Sequence, residues 1–93
     1  MEKEEIYRKL LTKFGTSNQI LKLAEECAEL AQAAIKLAVG PANTGAVSFV
    51  REMVDVEIML EQIKQLLDDP VFVKFHADRK EEVLKYLEKL LEV

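Results

Sequence analysis

The chain has 93 residues, of which 49% are hydrophobic, 13 are basic and 17 are acidic, giving a formal net charge of -4. This length predicts one small domain, residues 1–93, and the acidic balance argues against nucleic-acid binding. The single cysteine, Cys27, excludes an internal disulfide and metal sites built from several cysteines. The N-terminus is charged, and no apolar run approaches the ~20 residues of a membrane span, so we expect a cytoplasmic protein without membrane partners.

Helical periodicity runs through most of the chain, whereas alternation of apolar and polar residues is almost absent. The predicted helices are roughly Glu2–Phe14, a second that follows a cap among residues 16–18 and runs to about Val39, a third from about Ala46 to Leu67, and a fourth from Pro70 to nearly Val93. Gly15 is expected to end the first helix, the GPANTG segment to form a loop, and Pro70 to lie in the first turn of the last helix. Thr16, Ser17 and Asn18 are candidate N-caps. Short loops predict antiparallel packing in an all-α, four-helix bundle-like domain with one short and three long helices.

Two acids three residues apart lie on the second helix. Glu26 and Glu29 flank its apolar arc, with Lys22 on the same stripe and Gln19 a turn earlier. Side chains at i and i+3 are neighbours on a helix, so the two carboxylates can converge on one cation. Taken alone, this helix also fits an ordinary solvated acidic face.

A second pair of acids begins a row of the third helix that is otherwise apolar. Glu52 and Asp55 are continued along this row by Val56, Met59, Ile63 and Leu66. Burying an unpaired carboxylate costs several kcal/mol, so the pair needs a positive partner. The candidates are Lys22, Arg51, Lys80 or a metal ion. Glu57, Glu61 and Lys64 form a separate stripe that is typical of a solvated or oligomer-facing surface.

Antiparallel packing brings the two pairs of acids to a similar height on facing helices. Four carboxylates across one groove repel strongly unless divalent cations neutralise them. Oxygen ligation without histidine or cysteine favours Mg²⁺ or Mn²⁺, and four carboxylates suit two or more ions. Magnesium bound in this way usually completes its shell with water and substrate phosphate.

The spacing ExxE, a gap, then ExxD resembles the signature of the MazG-like all-α nucleoside triphosphate pyrophosphohydrolases. The matching segments are EECAEL at Glu25–Leu30 and EMVDVEIM at Glu52–Met59, and the similarity extends from about Phe14 to the last helix. The resemblance implies a hydrolase that cleaves nucleoside triphosphates to a monophosphate and pyrophosphate, with a possible role in clearing surplus or non-standard nucleotides. It assigns the Mg²⁺ ligands to Glu26, Glu29, Glu52 and Asp55.

Further site residues follow from the same resemblance. Glu25 is a candidate general base, with a surface helix acid as the alternative interpretation. Gln19 and Lys22 are candidates for contact with the base or phosphates, and Lys80 for a phosphate clamp, although a solvated lysine is the ordinary explanation of Lys80.

Two other functions compete with this hypothesis. A non-catalytic helical oligomerisation or adaptor module would use the acids only as a polar groove. A phosphoribosyl-ATP pyrophosphohydrolase would keep the fold, but the chain lacks the glycine that those enzymes tend to carry before the first acid pair.

We also expect an obligate homo-oligomer, a dimer at minimum or a tetramer. The third helix is apolar nearly all round, and the fourth carries a long apolar stripe. A chain of this size cannot readily cover both surfaces. The resemblance implies pockets bordered by neighbouring subunits, so Lys80 or an aromatic ring could act across the interface.

Overall fold

The computed structural model describes residues 1–42 and 44–92, and this part of the chain forms four α-helices and no strand. The helices are α1 (Lys3–Phe14), α2 (Thr16–Val39), α3 (Ala46–Lys64) and α4 (Pro70–Leu91), with a 3₁₀ turn at Gln65–Leu67. The all-α class is therefore confirmed, and the predicted last turn of the third helix is the 3₁₀ turn. Asn43, in the predicted loop, and Val93 lie outside the described residues.

Glycines with positive φ stand at two of the helix boundaries. Gly15 has φ 88° and donates its N–H to the carbonyl of Leu11, which ends α1 as predicted. Gly45, with φ 86° and ψ 1°, is in the left-handed conformation directly before α3. Residues with a Cβ are disfavoured there, so the backbone conformation favours glycine at both positions.

Polar side chains bond the backbone at two of the helix boundaries. Asp69 accepts a hydrogen bond from the Val71 N–H at 2.8 Å and precedes Pro70 in the first turn of α4. The expectation that Thr16, Ser17 or Asn18 would cap α2 is wrong, because α2 begins directly after Gly15. Asn18 instead donates its side-chain amide to the Phe14 carbonyl at 2.8 Å and so ties the start of α2 to the end of α1.

The main packing contact of the chain is between α2 and α3, with α1 resting on both. The buried apolar residues of this body are Tyr7, Ala33 and Val56. Met59 and Ile63 are half-buried on the same row as Val56. Val47 and Val50, on the side of α3 away from the acids, are exposed, in line with the expectation that one chain does not cover the whole apolar surface of this helix.

Helix α4 projects from this body. All its side chains from Pro70 to Leu91 are exposed, and the radius of gyration is 16.6 Å against about 12 Å for a compact domain of this length. The predicted four-helix bundle is therefore not confirmed within a single chain. In the described residues no helix is both long and apolar enough to cross a membrane.

Candidate metal centre

Three of the four predicted acidic ligands meet where α2 faces α3. One carboxylate oxygen from each of Glu26, Glu52 and Asp55 lies within 4.8 Å of the others. Opposite ligands of one Mg²⁺ lie about 4.2 Å apart, since each Mg–O bond is about 2.1 Å. Small side-chain rotations would therefore bring the three oxygens into one coordination shell.

The three acids of the cluster differ in how exposed their side chains are. Glu26 is 7% exposed, Glu52 is half-buried and Asp55 is exposed. This gradient follows from the helix faces: Glu26 points between α2 and α3, whereas Asp55 lies at the edge of their contact. A cation held here would keep one side open to water and to a ligand.

Two of the carboxylate oxygens have unmet hydrogen-bonding capacity. Oε2 of Glu26 and Oε2 of Glu52 are buried, and neither has a hydrogen-bond partner within residues 1–42 and 44–92. The other oxygen of Glu26, Oε1, lies 3.1 Å from the Lys22 ammonium. Buried polar atoms are almost always satisfied in folded proteins, so these two acceptors are available to a donor or a cation.

Glu29, the fourth predicted ligand, lies exposed beside this cluster. The negative charge of Glu26, and then the contact with the Glu52 carboxylate, raise the pKa of Glu29 above its ordinary value. The structure thus brings Glu29 within electrostatic reach of the other acids. Like charges held together in this way are what a bound cation would relieve.

Lys22 and Glu25 lie at the rim of the cluster. Lys22 bridges Glu26 at 3.1 Å and Glu25 at 3.5 Å. Its hydrogen bond to Glu26, followed by the charges of Glu26 and Glu25, raises its pKa, so the ammonium stays charged. Glu25 is two-thirds exposed and points toward solvent, which suits either a base at the edge of the site or a surface acid.

The remaining predicted residues are placed differently. Gln19 is half-buried on α2, one turn before Lys22. Lys80 is exposed on α4, where it lines a cleft with the end of α3, and none of the four acids lines that cleft. Within one chain Lys80 is therefore not brought to the acidic cluster.

Two buried polar features were not predicted. Gln62 is 1% exposed and its Nε2 lacks a hydrogen-bond partner in the described part of the chain. Tyr7 donates a 2.7 Å hydrogen bond to Glu61, which Lys3 also contacts at 3.5 Å. Glu61 therefore forms part of a contact between α1 and α3, where a solvated or oligomer-facing surface was expected. Gln62 lies seven residues after Asp55 on the same face of α3, and this spacing could have predicted its burial. No pattern in the sequence indicates that Tyr7 pairs with Glu61.

Comparisons of the chain with known protein families, with curated proteins and with solved structures found no match.

Proposed function

We propose that this protein is a Mg²⁺-dependent nucleoside triphosphate pyrophosphohydrolase, which cleaves a (d)NTP to a (d)NMP and pyrophosphate. The observation that carries the proposal is the pair of orphaned carboxylate oxygens of Glu26 and Glu52, buried in one cluster with Asp55. A polar surface groove would leave such oxygens hydrated. Because these two oxygens are buried and have no hydrogen-bond partner in the described residues, they fit a cation bound between α2 and α3 better than a polar surface groove.

The donor set favours a hard divalent ion. Glu26, Glu52 and Asp55 would hold it, and Glu29, close enough to be affected by their charges, would complete the acidic set or hold a second ion. All-oxygen ligation fits Mg²⁺, with Mn²⁺ as a substitute. Bound here, the ion would offset the charge of phosphate oxygens and lower the pKa of a nearby water.

The other residues act around this centre in the proposed reaction. Water attacks the α-phosphorus, the bond to the bridging oxygen of the β-phosphate breaks, and pyrophosphate leaves. Glu25, open to solvent at the rim, takes the proton of the attacking water. Lys22 is charged beside Glu26 and would contact phosphate oxygens, while the half-buried Gln19 would contact the base or a phosphate.

The proposal also covers the arrangement of the molecule. Lys80 could serve as a phosphate clamp only from a neighbouring subunit, because α4 stands away from the acids of its own chain. We retain the four-helix bundle as the arrangement of the assembled protein, in which α4 is covered by a second copy. The proposed setting is the cytoplasm, with surplus or non-standard nucleotides as substrates.

A panel of dNTPs and NTPs, incubated with the protein and Mg²⁺ or Mn²⁺, tests the proposed activity. We expect cation-dependent release of monophosphate and pyrophosphate from at least one nucleotide. The matched pair of variants is Glu52→Gln and Glu57→Gln, since both acids lie on α3 but Glu57 is exposed outside the cluster. The first should lose more than about 100-fold in turnover, because even the hydrogen-bond partners of metal ligands typically contribute about 10–100-fold.

Two results would count against the proposed function. Equal turnover by the two variants would show that the acidic cluster takes no part in the reaction. Inactivity of the wild type on the whole panel, together with a melting temperature that neither cation raises, would leave the adaptor module as the better explanation of the polar groove.

A further inference from the structure

Lys22 forms an ion pair unlike the others of the chain, because one of its partners is buried. Its ammonium nitrogen lies 3.1 Å from Oε1 of Glu26, whose side chain is only 9% exposed, and 3.5 Å from Oε2 of Glu25. Every other carboxylate that forms an ion pair within residues 1–42 and 44–92 is at least 40% exposed. Ion pairs between exposed groups contribute little, whereas a buried carboxylate depends on its partner.

Lys22 is also the only basic side chain that pairs with the acidic cluster in the described part of the chain. No lysine or arginine there forms an ion pair with Glu29, Glu52 or Asp55. The two oxygens of Glu26 differ accordingly, since Oε1 faces the ammonium and Oε2 is buried without a hydrogen-bond partner in those residues. One carboxylate therefore offers one oxygen to Lys22 and the other to a cation.

A divalent cation and the ammonium of Lys22 would repel each other if both were held by this carboxylate. The lysine side chain is half exposed, and its ammonium is carried by a flexible four-carbon chain. A phosphate group that binds beside the cation would attract the ammonium by a charge-assisted hydrogen bond. Lys22 therefore has an anionic partner both with and without a bound cation.

We propose that Lys22 is the built-in counter-ion of Glu26 in the cation-free protein, and that it couples cation binding to phosphate binding. Its charge stabilises the buried carboxylate but weakens the binding of a cation alone. A phosphate group that takes up Lys22 removes this penalty, so the cation and the phosphate each strengthen the binding of the other by the same factor.

This coupling would make the site take up the cation together with a nucleotide in preference to the cation alone. The inference rests on the proposed function, because it takes the acidic cluster as the cation site and a phosphate-bearing molecule as the ligand. It adds a role for Lys22 before the nucleotide arrives, which can be measured without any turnover.

The affinity for Mn²⁺ alone, measured by calorimetry without phosphate, tests the repulsion. Lys22→Gln removes the charge but keeps a polar side chain. Lys36→Gln is the matched control, because Lys36 is exposed on the same helix and forms no ion pair in the described residues. We expect the Kd for Mn²⁺ to fall about fivefold or more in Lys22→Gln and to stay unchanged in the control.

The melting temperature in a buffer with a chelator gives a readout that needs no bound cation. Lys22→Gln should melt several degrees below the wild type, because the buried charge of Glu26 loses its partner. Saturating Mn²⁺ should narrow this difference, since the cation then supplies the positive charge. Lys36→Gln should melt like the wild type under both conditions.

Inorganic phosphate tests the coupling itself. Phosphate should strengthen Mg²⁺ binding to the wild type by a larger factor than to Lys22→Gln, in which only direct contact between cation and phosphate is left. Lys22→Arg keeps the charge and should keep the larger factor. Equal factors for the wild type and Lys22→Gln would overturn the proposal.

Two further results in the Mn²⁺ titration would also overturn it. Weaker binding by Lys22→Gln would show that Lys22 only positions Glu26 for the cation, and unchanged binding would show an ordinary solvated ion pair. Either result leaves the proposed function standing. A wild type that binds neither Mn²⁺ nor Mg²⁺ would instead remove the cation site on which both proposals rest.

Discussion

Glu26 combines nearly complete burial with one carboxylate oxygen that no described residue contacts. Lys22 satisfies the other oxygen at 3.1 Å, but this lysine is half-exposed and reaches the cluster only from its rim. Removing an ionised carboxylate from water costs several kcal/mol unless it is paired. A cation on the buried side would satisfy this second oxygen, which is the basis of the proposed metal centre.

Cation binding should raise the melting temperature of the wild type and leave that of Glu26→Gln almost unchanged. A cation at about a hundred times its Kd adds about 2.7 kcal/mol to the free energy of unfolding by mass action. Glu26→Gln keeps the shape of the side chain but removes the buried charge that the ion needs. Thermal unfolding in Mg²⁺ or Mn²⁺ checks this, with Glu57→Gln as the exposed control. Equal shifts in all three proteins would place the cation elsewhere.

Tyr7 and Glu61 provide a pH-dependent contact between α1 and α3. The hydrogen bond to Glu61, together with burial and the charges of Glu61 and Glu4, raises the pKa of Tyr7 to about 12. The same bond, then the charge of Lys3, lowers the pKa of Glu61. The contact therefore stabilises the fold fully between pH 4.5 and pH 10.0, the ordinary values of the two groups. It is lost as the pH falls through the lowered pKa of Glu61 or rises through about 12.

Tyr7→Phe removes this hydrogen bond but keeps the buried ring. We expect a loss of about 1 kcal/mol in the free energy of unfolding near neutral pH, which lowers the melting temperature by about 4–8 °C. The difference from wild type should shrink as acid protonates Glu61. Urea unfolding measured across acid and neutral pH checks both parts. A difference that stays constant into strong acid would show that packing of the ring, and no bond to Glu61, sets the effect.

The helices illustrate which features local sequence determines. Gly15, Pro70 and the segment from Gly40 to Gly45 act through their own backbone preferences, so they place the helix ends without tertiary information. The cap of α2 was predicted wrongly because Gly15 ends one helix and begins the next, leaving no residue between them for a polar cap. The helix and cap propensities of single residues do not show that two neighbouring helices share one boundary residue.

Gly45 offers a direct test of the turn that leads into α3. A Cβ at this position would meet no atom within 4 Å, so only the left-handed backbone opposes substitution. Gly45→Ala should lower the free energy of unfolding by about 1 kcal/mol. Gly45→Asn should lose less, because asparagine tolerates this conformation better. The urea midpoints of the two variants check this, and equal losses would indicate a different cause.

At the scale of the whole molecule, the sequence predicted the acidic cluster better than it predicted the packing of α4. Helical spacing put Glu26 and Glu52 on facing surfaces, and the short connection between α2 and α3 leaves few other arrangements. For α4 the periodicity identified an apolar stripe but could not identify its partner, because a pattern reports which face avoids water and not what covers it. The burial of Gln62 was missed although its seven-residue spacing from Asp55 puts both residues on one face of α3, because the side chain itself is polar.

The identity of the products formed from a cleaved nucleotide tests the central claim most directly. The measurement is phosphorus NMR of a dNTP incubated with wild-type protein and Mg²⁺ in water enriched in the heavy oxygen isotope. The account predicts equal amounts of monophosphate and pyrophosphate, with the heavy oxygen on the monophosphate, because water attacks the α-phosphorus. Diphosphate and orthophosphate as the first products, or heavy oxygen on the pyrophosphate, would contradict it.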